Sequence, residues 1–310
     1  MPVRFEASML SSSGPLIITG ASGFVGRALV GELPPSAVPV ALGRDDWRER
    51  IRAAPWKNAT VFHLAARVHR PGEDDEVLYQ RDNVEKTAVL AEAASAGGAA
   101  RFVFLSTIKV NGEETTDRPY APGDAPAPLG AYARSKRDAE DAIRSVATRA
   151  GLSFAIVRSP VVVGAGARGN LLALMRLADS PAPLPFGGIQ NRRTLISVTD
   201  LARLLSLCAS TPNIPGLFLA GCPQPVSTTQ LVTAIRRGLG RSARLLPIGA
   251  GVLEALAFAV GRADAARRLT RSLEIDVSET MRQLQWQPEL GIEPALEAMA
   301  RSFRATGGST

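Results

Sequence analysis

Thr19-Gly20-Ala21-Ser22-Gly23-Phe24-Val25-Gly26 follows the short apolar run Leu16-Ile17-Ile18 and precedes apolar residues at helical spacing over 24–33. That order reads as strand, tight turn and helix. The glycines are spaced G-x-x-G-x-x-G rather than G-x-G-x-x-G, yet each can meet the same physical need. They permit the tight turn, let a pyrophosphate approach the backbone, and bring the helix close to the sheet. The helix N-terminus then faces the phosphates with its unpaired N–H groups and positive dipole end.

Working outward, further strands are expected at 38–42, 61–64, 102–105 and 154–157, and helices at 83–96 and 132–150. This alternation implies an α/β protein with a doubly wound parallel sheet and right-handed crossovers. Beyond about Val163 the pattern changes to helices separated by Pro/Gly stretches such as Ser180-Pro181-Ala182-Pro183-Leu184-Pro185-Phe186-Gly187-Gly188. Residues 1–163 are therefore expected to bind a dinucleotide. Residues 164–310 are expected to form mainly a smaller lobe that returns a strand near 217–219 and closes over a ligand. The tail at 306–310 is expected to fray.

The bulk properties narrow the function. A chain of 310 residues with 45% hydrophobic content can fill a sizeable core. Cys208 and Cys222 are too few for a disulfide framework, and residues 1–13 lack a long apolar run with a cleavage site, so a cytoplasmic protein is expected. The longest apolar run, 245–261, contains Glu254 and falls short of the roughly 20 residues of a membrane span. It reads as a packed helix. A net charge of +7 and a pI near 10.1 suit an anionic partner. The arginines are spread without a basic block interleaved with aromatics, which favours a phosphorylated small ligand over nucleic acid. His63 and His69 stand at no zinc-ligand spacing, so no metal site is expected, and a Ser-His-Asp hydrolase would have to use one of them.

A second feature gains meaning beside the glycine turn. Tyr132 and Lys136 share one face of a helix, and with three tyrosines and four lysines in the chain such a spacing arises by chance only about 4% of the time. A phenol with an ordinary pKa of about 10 needs roughly 4 kcal/mol to exchange protons near neutral pH. An ammonium about 6 Å away supplies near 3 kcal/mol at an effective dielectric of 20, and an oxidised nicotinamide would add to it. Thr107, just past the strand ending at Leu105, could hydrogen-bond the same substrate oxygen. After the second strand, Leu42-Gly43-Arg44 offers a guanidinium where a carboxylate would select NAD, which favours NADP(H) and leaves NAD(H) possible should Asp45 or Asp46 take the acid's place.

Together these residues resemble the extended short-chain dehydrogenases/reductases of the NAD-dependent epimerase/dehydratase family, along nearly the whole chain. Its landmarks appear in order: the turn at Thr19, His63-Leu64-Ala65-Ala66, Asn83, Ser106-Thr107 with Val110-Asn111-Gly112, Tyr132-Ala133-Arg134-Ser135-Lys136, and Arg158-Ser159-Pro160 leading to Gly164. The resemblance implies a Rossmann-type sheet with Thr107, Tyr132 and Lys136 as catalytic residues. It implies cofactor contacts from Gly20, Ser22, Gly23, Phe24, Val25, Gly26, Arg44, Leu64, Ala65, Ala66, Asn83, Pro160 and Val162, besides Tyr132 and Lys136. Downstream, Asn191-Arg192-Arg193-Thr194-Leu195 and Val198-Thr199-Asp200-Leu201 resemble the family's nucleotide-sugar segment. There Arg193 would hold the substrate diphosphate, with Lys109 and Asn170 as further substrate contacts and a plain helix cap as the other reading of Asn170.

The closest likeness is to members of bacterial polysaccharide pathways, including lipopolysaccharide O-antigen synthesis. These are UDP-glucose 4-epimerase-like proteins and reductases of UDP-4-keto-6-deoxy-N-acetylglucosamine. Asn111 replaces the tyrosine of the usual Val-Tyr-Gly, and Ile108-Lys109 stands where sugar 4,6-dehydratases carry Asp-Glu. Dehydration therefore lacks its acid and base. The Arg44 reading favours a 4-ketoreductase of a UDP-sugar over a 4-epimerase with retained NAD. A small-ketone reductase and a non-catalytic nucleotide sensor are lesser alternatives. The family likeness also implies a homodimer built on the helices at 83–96 and 132–150.

Overall fold

A computed structural model of the chain describes residues 14–68, 75–211, 214, 216–259 and 261–308. Residues 1–13, His69 and residues 309–310 of the expected tail lie outside the described residues. The chain order begins β1 (Leu16–Thr19), α1 (Phe24–Glu32), β2 (Val38–Val40), α2 (Trp47–Arg52), β3 (Thr60–His63), α3 (Glu76–Tyr79), α4 (Lys86–Ala96) and β4 (Arg101–Thr107). It continues with α5 (Gly130–Ala150), β5 (Phe154–Ser159), β6 (Val161–Val163), α6 (Asn170–Ala178), β7 (Leu195–Ser197), α7 (Val198–Ser210) and β8 (Gly216–Leu219). Five helices close the chain: α8 (Thr228–Gly238), α9 (Ala250–Ala259), α10 (Ala263–Thr270), α11 (Ser278–Leu284) and α12 (Ile292–Ala305).

Six strands form one parallel sheet in the order β2-β1-β3-β4-β5-β8. Their apolar runs are unbroken because both faces are covered, and alternate residues serve opposite layers. Ile18, Phe62, Val103 and Val157 join one core with Leu201 and Leu205 of α7, while Ile17, Val61, Phe102 and Ile156 join another with Leu90 and Ala91 of α4 and Ile143 of α5. The expected return of the C-terminal half is β8, which pairs in register with β5 from Ala155↔Gly216 to Arg158↔Leu219. A second small parallel sheet, β6-β7, leads into a separate core holding Leu174, Phe186, Ile235, Leu296 and Met299.

Two elements differ from expectation. Helical structure precedes Asn83: α3 starts after Asp75, whose carboxylate caps Leu78 N at 3.1 Å, and a wide π-turn over Gln80–Glu85 joins α3 to α4. That turn turns Asn83 inward, where its side chain bonds Arg67 and Ser135. The apolar run at 245–261 forms α9, but none of its ten residues is fully buried. Hydrophobicity all along a helix suits burial, yet among the described residues only one side of α9 is packed, through Leu253 and the ion pair of Glu254 with Arg271.

β2 lies on one side of β1 and β3 on the other, so the winding reverses at β1 and opens a crevice beyond its C-terminal end. The glycine turn fills that end. A Cβ on Gly26 would sit 2.0 Å from the Gly20 carbonyl oxygen, and both atoms belong to backbone that cannot swing aside. Gly31, in the same helix, has nothing within 4 Å of its would-be Cβ. Gly26→Ala should therefore destabilise the protein by ~1–3 kcal/mol, whereas Gly31→Ala should be neutral or add ~0.5–1 kcal/mol through helix propensity. Thermal melts of both variants check this, and equal melting temperatures would contradict it.

Candidate active site

The turn after β1 is closed by Gly23 N donating to Gly20 O at 2.9 Å, with Gly20 at φ +74°. Gly23 is the N-cap of α1, no side chain caps the helix, and its first turn contains no acid. The open amides and the dipole suit a diphosphate, and the missing side chains leave room for it at the backbone. Ser22 is exposed and its carbonyl accepts Arg27 Nη1 at 2.8 Å, while Phe24 and Val25 begin the helix. A Cβ on Gly20 would meet Ala65 N at 2.7 Å and Leu64 C at 2.8 Å, so the residues after β3, Leu64, Ala65 and Ala66, wall the crevice directly. The Phe24 ring reaches Gly164, bringing the segment after β6 over the same turn. Pro160 is buried behind it, and Val162 packs on the core under β1.

Asn83 is held away from solvent. Its amide donates to Arg67 O at 3.1 Å and Ser135 Oγ at 2.9 Å, and its oxygen accepts Arg67 N at 2.7 Å, so it pins the stretch after β3 to α5. Beyond β2, Arg44 is exposed. Asp46 is engaged elsewhere: it pairs with Arg50 at 2.8 Å, and that hydrogen bond holds its carboxyl below the usual range. Asp45 is exposed beside them.

Thr107, Tyr132 and Lys136 come together at the ends of β4 and α5. The Thr107 and Tyr132 hydroxyls share a hydrogen bond, and the Tyr132 ring meets Tyr79 edge-on at 6.1 Å. Lys136 Nζ donates to Leu105 O at 2.8 Å and lies 3.9 Å over the Phe104 ring. Burial pushes the Tyr132 phenol up to about 12, with the Thr107 bond acting against it. Burial likewise pushes Lys136 down to about 7, with the Glu140 carboxylate acting against it. This corrects the expected tuning of Tyr132 by Lys136. Burial acts on Lys136 more strongly than the Glu140 charge and on Tyr132 more strongly than the Thr107 bond, so desolvation rather than the Lys136 charge sets the direction of both shifts.

Beneath this trio lies a buried network that the sequence reading missed. The Glu140 carboxylate accepts Ser106 Oγ at 2.5 Å and is bridged by Arg158 through Nε at 3.0 Å and Nη2 at 2.6 Å. Arg158 Nη1 then donates to Asn111 Oδ1 at 2.8 Å, while Asn111 Nδ2 finds no partner among the described residues. The network ties β4, β5 and α5 directly below Thr107. A signal was present: Tyr132, Lys136 and Glu140 recur every four residues on one helix face.

The substrate candidates lie on other segments. Lys109 pairs with Glu113 at 2.7 Å, and Arg193 Nη1 donates to Arg271 O at 2.9 Å. Burial pushes the Arg193 guanidinium down, and the charge of Glu113 acts against it. Asn170 is the exposed first residue of α6; Gly169 takes the cap position, and no side chain caps that helix. Arg192 instead pairs with Glu274 at 2.7 Å and lines a cavity of about 670 Å³ with Arg118, Thr194 and Asp276, a space that excludes Thr107, Tyr132 and Lys136.

His63 is sealed within the sheet between Thr19 Oγ1 at 2.6 Å and Thr87 Oγ1 at 2.8 Å, stacked on Phe104. Neither ring nitrogen is free for hydrolase chemistry, and His69 lies outside the described residues. Burial, with the Lys136 charge second, pushes His63 down to about 3.

Two stability outcomes follow from these buried groups. Arg158→Ala strands the Glu140 carboxylate and should cost ~3–5 kcal/mol in urea unfolding. The double variant Glu140→Leu/Arg158→Met should lose clearly less than the two single variants combined, and strict additivity would contradict the network. For His63, the unfolded chain takes up a proton below about pH 6.5 that the folded state refuses down to about 3. Stability should therefore fall with acidity across that window, with a contribution of up to ~1.4 kcal/mol per pH unit. His63→Asn should lessen the loss between pH 6.5 and 5, which unfolding curves at both pH values would read.

The sequence profile described as the NAD dependent epimerase/dehydratase family matches residues 16–216. A UDP-glucose 4-epimerase of Vibrio cholerae is 33% identical over 93% of this chain and 95% of its own length. A ceramide reductase of Caulobacter vibrioides is 27% identical over 96% of this chain and 92% of its own. Among solved structures, MoeE5 in complex with UDP-glucose and NAD is 26% identical with a TM-score of 0.72, over 94% of this chain and 99% of that one. The glycine turn at the sheet's reversal and the Thr-Tyr-Lys trio at its edge thus stand in a chain similar to such proteins from end to end. The chain is an enzyme that belongs to the NAD-dependent epimerase/dehydratase family.

Proposed function

We propose that the protein reduces the C4 ketone of a UDP-4-keto sugar of the 6-deoxy-N-acetylhexosamine class, using NADPH, in the supply of surface-polysaccharide precursors. The observation that carries the direction and the cofactor is Arg44, exposed past β2 while the nearby Asp46 is committed to Arg50. A free guanidinium suits a ribose 2'-phosphate through paired charge-assisted bonds. The reading assigns the cofactor to residues 1–163 and most of the nucleotide-sugar contacts to residues 164–310.

When bound, a reduced nicotinamide supplies hydride to the ketone carbon. Tyr132 then gives its proton to the oxygen that gains charge, and Thr107 holds that oxygen from the other side. Burial keeps this phenol protonated through the neutral range, the state that donation requires. Lys136 contributes a donor at the same place and, when protonated, stabilises the phenolate left behind. Arg193 anchors the substrate diphosphate, with Lys109 and Asn170 as further contacts. Ile108 is buried and offers no proton, in keeping with a reaction without elimination.

The second reading is 4-epimerisation, favoured by the Vibrio cholerae relative. An epimerase returns its hydride within each cycle, whereas a reductase consumes cofactor. Incubation with a panel of UDP-sugars and UDP-4-keto sugars plus NADH or NADPH, with products identified by NMR, separates them. Reduction predicts one NADPH consumed per ketone lost; interconversion of UDP-hexoses without net cofactor use would establish the epimerase instead. Tyr132→Phe should lower kcat by ~10²–10⁴ while NADPH still binds in a fluorescence titration. Arg193→Ala should raise KM for the UDP substrate roughly 10- to 100-fold. The forward rate should fall as pH rises through about 7, where Lys136 loses the proton that stabilises the phenolate, while the reverse oxidation rises with pH, and the opposite pattern would refute the assigned roles of Tyr132 and Lys136.

A further inference from the structure

We propose that α9 and α10, with Leu246 before them, form a docking surface for the anionic face of a lipid bilayer. On the outward side of α9 stand Gly251, Val252, Ala255, Leu256, Phe258 and Ala259, all exposed and none with a polar side-chain atom. Val252 is 58%, Leu256 57% and Phe258 78% exposed, and Leu246 adds 46%. Other exposed large apolar residues, such as Val30, Leu129 and Leu290, are far apart in sequence, whereas these four fall within thirteen consecutive positions. A contiguous apolar patch of this kind marks an interaction site.

The charge around the patch selects the occupant. Residues 241–271 contain six arginines against only Glu254 and Asp264, and Glu254 is already paired with Arg271. Arg244, Arg262, Arg267 and Arg268 make no ion pair among the described residues. An apolar strip whose flanking sequence, including the packed neighbour α10, supplies arginines without ion-pair partners fits a surface that is oily within and negative at its edge, as an anionic bilayer is. A second copy docked face to face would bring its own arginines against these, so like charges oppose self-association through the patch. A ten-residue helix is only about 15 Å long, enough to lie in the headgroup layer and too short to cross. No helix among the described residues is long and apolar enough to span a membrane.

The test is co-sedimentation of the full chain with vesicles of phosphatidylcholine alone or mixed equally with phosphatidylglycerol. Binding to the mixed vesicles should exceed that to the neutral ones at least 10-fold and weaken as salt rises. Leu256→Ser/Phe258→Ser and Arg262→Glu/Arg267→Glu should each reduce it 10-fold or more. Both pairs should keep the wild-type melting temperature and turnover of a soluble substrate, since all four side chains are exposed and outside the catalytic trio. Absence of vesicle binding, or equal binding by either double variant, overturns the proposal. So does a dimer that Leu256→Ser/Phe258→Ser converts to monomer without any vesicle binding, which would assign the patch to a second copy. Capture by immobilised polyglutamate in place of vesicles would assign it to an acidic protein and equally reject the bilayer.

Discussion

A parallel sheet places the C-terminal ends of all its strands along one edge, and the reversal of winding at β1 parts the loops that leave that edge. The geometry of the crevice depends on that constraint. The glycine turn leaves β1, residues 64–66 leave β3 and Thr107 ends β4, so three loops distant in sequence share that edge, and the segment after β6 reaches the glycine turn from the second, two-stranded sheet through Gly164 and Phe24. The approach is close enough that a single methyl at Gly20 would overlap the backbone of Leu64 and Ala65. Glycine here is a packing requirement between two loops as well as a conformational one at φ +74°.

Within the crevice, desolvation governs the acid–base groups. Tyr132 and Lys136 are both driven toward their neutral forms, up to about 12 and down to about 7, because a low-dielectric environment penalises charge on either. The balance of such a pair is sensitive to any charge that enters the site. The Glu140–Arg158 pair beneath it follows the opposite logic. It keeps two charges in the interior by satisfying them through Ser106, Asn111 and each other. Such a pair specifies one arrangement of β4, β5 and α5 more than it adds stability.

The C-terminal half is neither an independent domain nor an appendage. β8 extends the main sheet and α7 covers one of its faces, while α6, α8 and α12 build a second core around Leu174, Ile235 and Met299. Arg193 is placed at the junction by backbone pairing with Val226 in both directions, at 2.9 and 3.0 Å. Its guanidinium is held further by donating to Arg271 O at 2.9 Å. The outward side of α9 stands apart from this arrangement, since no other described residue buries it.

Sequence alone determined the strand-turn-helix opening, the parallel alternation and the shared helix face of Tyr132 and Lys136, because these depend on local periodicity and on what glycine uniquely allows. It also marked Thr107 and Arg44, whose positions follow from strand ends. The early start of the helical run at Glu76 was hidden because the π-turn that aims Asn83 inward has no local signature. The Glu140–Arg158 bridge joins residues eighteen positions apart on different elements, and only packing decides that both are buried together. The direction in which Tyr132 and Lys136 shift was equally a tertiary outcome, since burial is a property of the folded environment and spacing reveals only the charge. The same holds for the apolar run at 245–261, where composition suggested an interior helix and the fold left one side of it in water.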